Sequence, residues 1–249
     1  MFTHNINPIL VSIGPLNIYY YSLAYIIGFV LAYWFLTKAA KNKTIKGLNA
    51  KIAEDFVIYL IVGVILGGRL GHFLFYNISV FWSDPLEILK LWHGGMAFHG
   101  SLIGVLIAYY FFQKKYSKIQ FYDLADLLVI PVAFALFLGR IANFINGELW
   151  GTITNVPWCV KFKDVEGCRH PSQLYESLYT LVIFFILLFA KTRKQLKRGI
   201  LFWGFIGLYG LFRFIVNFWR DVDRLTGQIL SLLMLIVAVY FIWKINHNN

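Results

Sequence analysis

Apolar blocks of about twenty residues recur along this chain, divided by short polar segments. About 20 mostly apolar residues in a helix cross the hydrocarbon core of a bilayer. Seven blocks qualify: residues 18–37, 54–75, 94–112, 122–141, 171–190, 199–217 and 227–243. The pattern predicts an all-α polytopic membrane protein with about seven transmembrane helices and a small extracytoplasmic loop region. Residues 1–249 read as a single domain, without an evident repeat. The fourth block carries Asp123 and Asp126 at one end and Pro131 inside, so it spans only if its helix runs on through Arg140. Gly63, Gly67 and Gly71 in the second block, and Gly204, Gly207 and Gly210 in the sixth, predict close helix packing.

Composition agrees with a membrane protein. The chain is 59% hydrophobic and 14% charged, where soluble domains carry about 25% charged residues. A formal charge of +11 invites nucleic acid as a partner. The positive residues sit in short loops between apolar blocks, which excludes nucleic acid from the expected partners. With the N-terminus outside, fourteen Lys and Arg fall on the inner side and six on the outer, so the expected orientation is N-out and C-in. The first 17 residues contain no Lys or Arg, so the first apolar block is expected to stay in the membrane. The longest outer loop, 142–170, contains Gly147, Gly151, Pro157 and Gly167 and reads as irregular or as a small surface subdomain. Its two cysteines, Cys159 and Cys168, lack metal-finger spacing. They form either a disulfide or two free thiols. No metal and no organic cofactor is expected.

The segment Gly139–Gly151 places Arg140, Asn143, Asn146 and Glu148 at the end of an apolar stretch. A charge in the membrane interior costs roughly 2.5–3.5 kcal/mol on insertion scales, and an anionic lipid headgroup is one group able to offset it. Arg69, His72, His99, His170, Glu176 and Arg213, with Tyr21, Tyr209 and Asn217, are the other polar groups in or beside the spans. The expected orientation puts most of them in the outer half of the bilayer. Arg140 and Asn143 are three apart and share a helix face. Tyr209, Arg213 and Asn217 follow at intervals of four and share another. Two arginine-bearing faces at one depth could hold a single phosphate, which the planar guanidinium fork grips in pairs of hydrogen bonds. Alternatively each arginine snorkels, or pairs with Glu148 or Glu176. Arg69 and His72 read as structural groups.

His99 follows a Gly94–Gly95 break inside Trp92–Ser101. It is either a proton carrier or a hydrogen-bonded structural histidine. Pro171 suits a first helical position, which leaves His170 and Glu176 to brace the arginines. The chain has no Gly-x-Ser-x-Gly elbow, His-Glu-x-x-His or phosphate-loop motif.

The segments Gly139–Gly151, Gly94–Gly100, Arg169–Glu176, Phe212–Asp223 and Gly227–Ser231 resemble one family in its order from end to end, the bacterial prolipoprotein diacylglyceryl transferases. The resemblance implies a multi-pass enzyme of the bacterial inner membrane, acting as a monomer toward the outer leaflet. It implies transfer of diacylglyceryl from phosphatidylglycerol to the lipobox cysteine of a preprolipoprotein, with release of sn-glycerol-1-phosphate. Its partners would be that lipid, lipobox peptides and the bilayer. Carried over by motif, His99, Arg140, Arg213 and Tyr21 are the expected catalytic residues. Arg140, Asn143, Glu148, Gly151, Tyr209 and His170 are the expected substrate contacts. His99 is the expected base for the thiol, Arg140 the phosphate ligand, Arg213 a second headgroup contact or gate, and Tyr21 a guide for the glycerol. One position departs: Asn217 stands where the family usually has Glu, so either another acid orients the sixth-span arginine or none does. The loop from Gly151 to Arg169 is also short for the family.

Two other classes fit the apolar pattern. A channel or transporter would place polar groups in the membrane, but repeated halves and broken midplane helices are not evident. A lipid-binding membrane protein without catalysis would need only the arginines.

Overall fold

The computed structural model describes residues 2–14, 16–90, 94–193, 196–222 and 224–247. Trp92 and His93 of the segment before His99, and Asp223, lie outside the described residues. The chain is a multi-pass, all-α membrane protein. The helices in order are α1 (Tyr20–Lys41), α2 (Ala50–Tyr76), the short α3 (Ile78–Ser83), α4 (Phe98–Lys115), α5 (Phe121–Ile145), α6 (Ser172–Lys191), α7 (Ile200–Val216) and α8 (Arg224–His247). A 3-10 turn, Asn217–Trp219, extends α7. All the long helices except α4 are long and apolar enough to cross a membrane, six among the described residues. The third predicted span corresponds to α4, whose 18 residues take in His99, Gln113, Lys114 and Lys115 and so dilute its apolar stretch.

Four short strands were not predicted. β1 (Phe2–Thr3) pairs in parallel with β4 (Val160–Lys161), and β2 (Ile9–Ile13) pairs antiparallel with β3 (Leu16–Tyr19). The β2–β3 hairpin takes the start of the first apolar block, which delays α1 to Tyr20. The break before α4 falls where expected, with Gly94 and Gly95 both at positive φ, a region open to glycine.

The polar flaw in the fourth block has a structural purpose. Asp126 on α5 accepts hydrogen bonds from the Gly199 amide (2.6 Å) and the Phe202 amide (2.7 Å) at the start of α7. A helix N-terminus leaves such amides unpaired and carries partial positive charge. The carboxylate therefore caps a neighbouring helix and sets the axial position of α7 against α5. Helix α5 itself runs through Pro131 and Arg140 to Ile145, as a full span requires.

The chain divides into two compact units, residues up to Leu31 with those from Phe121 onward, and Ala32–Gln120. In the first, α6 packs on both α5 and α7, and α8 packs on α7. Gly207 and Gly210 face α8, where an added Cβ would meet Ala238 Cβ at 3.1 Å or the Ser231 carbonyl at 2.7 Å. Gly204, the third of that series, faces open space. The second unit is centred on α2 against α4. There Gly63, Gly67 and Gly71 meet Gly100 and Gly104 backbone to backbone, and Gly63 also meets the Ala108 methyl. This is the close approach that small residues permit in lipid.

The same unit explains Arg69. It is 2% exposed and spends its guanidinium on main-chain carbonyls of one segment: Glu87 (2.6 Å), Lys90 (3.0 Å), Ile88 (3.1 Å), Gly95 (3.2 Å) and Gly94. Arg69 thus ties residues 87–90 and Gly94–Gly95 to α2, the structural role expected of it. His72 joins Asn77 at 2.8 Å on the same side of α2, by a cavity of about 360 Å³.

A Gly104→Val substitution drives a side chain into the α2 backbone. Overpacking costs about 1–3 kcal/mol in cores, and the upper end is expected here, read as a lower unfolding temperature in detergent. Gly204→Ala is the control and should be neutral or stabilising by up to about 1 kcal/mol. Equal effects of the two variants would contradict the glycine seam.

Candidate active site

The first unit gathers three arginines on one carboxylate. Glu176, one turn into α6, is fully buried. Its Oε2 lies 2.8 Å from Arg140 Nε, contributed by the last third of α5. Its Oε1 lies 2.5 Å from Arg213 Nη1 at the end of α7. Arg220, just past the 3-10 turn, donates to the same Oε1. Arg140 and Arg213 therefore each pair with Glu176, one of the alternatives the sequence leaves open, and the pairing brings their two helix faces together.

The charges do not cancel. Three guanidiniums face one carboxylate, a formal excess of two positive charges. Removing an ion from water costs several kcal/mol even after relaxation, and Glu176 offsets that cost for the group. Arg140 and Arg213 keep 19% and 17% side-chain exposure while Arg220 keeps 5%. The first two are therefore partly exposed, and Arg220 is held inside.

Asn143 extends the cluster. Its Oδ1 accepts from Arg140 (3.1 Å), and its Nδ2 donates to Glu148 (2.7 Å), which also accepts from Asn146 (3.2 Å). Asn143 so stands between the arginine and a second carboxylate. Glu148 is positioned by the end of α5: Gly147 takes φ +69° there, a common helix-stop geometry. Gln173 on α6 donates to the Glu148 carbonyl (2.5 Å). Tyr209 sits one turn before Arg213 on the same helix.

Gly151 has a different position from that expected of a ligand contact. Its amide donates to the His170 carbonyl (2.9 Å), while Thr152 donates to the Trp219 carbonyl (2.9 Å). A Cβ at Gly151 would meet His170 at 2.8 Å and the Trp219 carbonyl. Gly151 therefore lets three segments converge and so sets the chain path into Arg220, with which it forms a bridge. Arg169 reinforces this junction through Asp221 (2.6 Å) and the Gly151 carbonyl (3.2 Å). The two cysteines are joined, Cys159 to Cys168, beside it.

His170 stands in the same junction. Its Nδ1 lies 3.0 Å from the Tyr175 hydroxyl, which accepts from Trp158 (2.7 Å). Burial holds its imidazole below the ordinary histidine range, so it is neutral at pH 7. Tyr21 on α1 touches Tyr25 at 5.4 Å between ring centroids, and no bond among the described residues links it to the arginines. His99 belongs to the second unit, where it is exposed on the first turn of α4.

Asn217 does not act as an acid for Arg213. It is fully buried, and neither side-chain polar atom has a hydrogen-bond partner among the described residues. Gly227 leaves it room, since a Cβ there would come within 2.5 Å of its Nδ2. The acid that orients the arginine is Glu176. Sequence reasoning missed Arg220 by counting it in an outer loop. The spacing Arg213, Asn217, Arg220 is the helical signal that marks it.

An arginine cluster of excess positive charge, carried on helices long and apolar enough to span a bilayer, marks this as a membrane protein with a buried ionic site. Residues 8–244 match the family model described as prolipoprotein diacylglyceryl transferase. The chain is 44% identical to the phosphatidylglycerol–prolipoprotein diacylglyceryl transferase of Rickettsia typhi (strain ATCC VR-144 / Wilmington), over 99% of each. It is 46% identical to that of Rickettsia rickettsii (strain Sheila Smith), over 97% of this chain and 98% of the other. For Rickettsia bellii (strain OSU 85-389) the figures are 45%, 96% and 95%. The chain belongs to the prolipoprotein diacylglyceryl transferase family.

Glu176→Gln leaves three guanidiniums without their shared anion. Breaking a buried ion pair costs about 3–5 kcal/mol, so thermal unfolding should shift down clearly. Added sn-glycerol-1-phosphate should restore more stability to this variant than to the parent. An unchanged unfolding temperature would show that the arginines do not depend on Glu176.

Proposed function

We propose that this chain transfers the diacylglyceryl group of phosphatidylglycerol to the thiol of the lipobox cysteine of a preprolipoprotein, the first step of lipoprotein maturation. Family membership supports the reaction, and one observation carries the mechanism: the excess of two positive charges around Glu176. The thiolate attacks the glyceryl carbon, a C–S bond forms, and the C–O bond to phosphate breaks. The oxygen keeps the electron pair and leaves as sn-glycerol-1-phosphate. The phosphate thereby passes from one negative charge as a diester to two as a monoester. A preorganised positive site of low dielectric favours the second state over the first, which lowers the barrier.

In this reading Arg140 and Arg213 grip one phosphate, because Glu176 ties both guanidiniums to one point. That replaces a separate headgroup site for Arg213. Asn143 fixes the plane of Arg140, Glu148 orients Asn143, and Tyr209 is a substrate contact one turn from Arg213. Gly151 and His170 hold the junction that delivers Arg220. Tyr21 guides the glycerol, on the motif resemblance alone. His99 takes the thiol proton, a role supported by its motif and by its exposed imidazole. A free thiol is only a few per cent ionised at pH 7, so a base is needed. The enzyme acts as a monomer and a single domain in the bacterial inner membrane, N-terminus out and C-terminus in, with its site toward the outer leaflet. The Lys and Arg distribution between loops supports that orientation.

The assay is purified enzyme, phosphatidylglycerol and a lipobox peptide, read as a mass shift on the peptide cysteine, with a Cys→Ser peptide as control. Absence of the shift with folded enzyme would overturn the assignment. Arg140→Lys should lose at least a hundredfold in turnover, about 3 kcal/mol, because a point charge does not reproduce the fork. Near-normal turnover would remove Arg140 from the phosphate. His99→Gln should depress transfer far more than lipid binding, and equal loss of both would make His99 a binding group.

A further inference from the structure

The arginine cluster has a neighbour that the motifs do not mark. Tyr179 lies on α6 three residues beyond Glu176, a spacing that shares a helix face. It is 4% exposed. Its ring is fixed on two sides, stacked on Phe212 (centroids 5.7 Å, interplanar 8°) and edge-on to Tyr209 (5.7 Å, 75°). The hydroxyl has no hydrogen-bond partner among the described residues. Arg140, Arg213, Glu176 and Tyr209 all lie within its electrostatic reach.

We infer that Tyr179 is a further substrate contact, its hydroxyl donating a hydrogen bond to a non-bridging oxygen of the phosphate gripped by Arg140 and Arg213. The inference rests on the phosphate reading given above. Three features support it. A buried hydroxyl that lacks a partner is disfavoured, so native proteins nearly always supply one. The neighbouring carboxylate is already committed, since Glu176 pairs with three guanidiniums. Packing of the ring against both Tyr209 and Phe212 restricts its rotation. A phenol is also a neutral donor. It adds a bond to phosphate oxygen without adding to the positive charge that Glu176 must balance.

The test is Tyr179→Phe in the full-length enzyme, which removes one oxygen and keeps the stacked ring. A hydrogen bond to a charged group predicts a loss of roughly tenfold in kcat/KM for phosphatidylglycerol. Thermal unfolding should be unchanged or slightly raised, since an unpaired buried hydroxyl is lost. Competition by sn-glycerol-1-phosphate distinguishes the two sources of phosphate. Weaker inhibition in the variant supports a contact kept by the free product. Unchanged inhibition with reduced kcat/KM supports a contact made only with the lipid-borne phosphate. A kcat/KM within twofold of the parent overturns the proposal and leaves Tyr179 as packing. Arg140→Lys, run beside it, separates the two claims. If it retains turnover, the phosphate reading fails. If it loses turnover while Tyr179→Phe does not, only the role of Tyr179 fails.

Discussion

Glu176 is the group on which the site depends. A guanidinium in the membrane interior is costly, and three within reach of one another repel. One carboxylate, fully buried and shared among Arg140, Arg213 and Arg220, makes the arrangement possible. It does so without neutralising it. In the proposed mechanism the residual charge is the functional property, because a fully balanced cluster would offer nothing to an anion. On that proposal Glu176 has a structural task, and the unbalanced arginines have the chemical one.

The scaffold serves that arrangement through contacts far from it along each helix. Asp126 fixes the start of α7 against α5, more than three turns from Arg213 on the same helix. The Gly151 junction fixes the other end, where the backbone turns into Arg220. Helix α7 is thus held at both ends while its arginine meets Glu176 in α6. Preorganisation of this kind is what an electrostatic site requires, since donors that must move into place lose part of their effect.

Much of this was legible in the sequence. Apolar block length located every long helix to within a few residues, because lipid imposes one length on each crossing. The pairing of Arg140 with Asn143 followed from helical spacing, and so did the break at Gly94–Gly95. Glu176 was visible as a brace but not as the centre, since sequence gives no distance between spans. Arg220 was hidden because α7 stops at Val216 and a 3-10 turn carries the register on. The pairing of β1 with β4 joins residues about 158 positions apart, which no local period encodes. Asp126 looked like a defect in a span and proved to be a cap, which only the neighbouring helix reveals. The disulfide was one of two open alternatives, and nine residues of spacing did not choose between them.

The order of the charged residues along the chain bears on how such a protein is made. Arg140 and Glu176 lie on successive long helices, α5 and α6, whereas Arg213 and Arg220 come only with α7 and the turn beyond it. During synthesis the first cation therefore meets its counterion as soon as the next hydrophobic segment follows it. A near-neutral helical hairpin reaches the lipid first, and the surplus cations join a carboxylate already in place. Biogenesis thus never has to shelter several isolated guanidiniums at once.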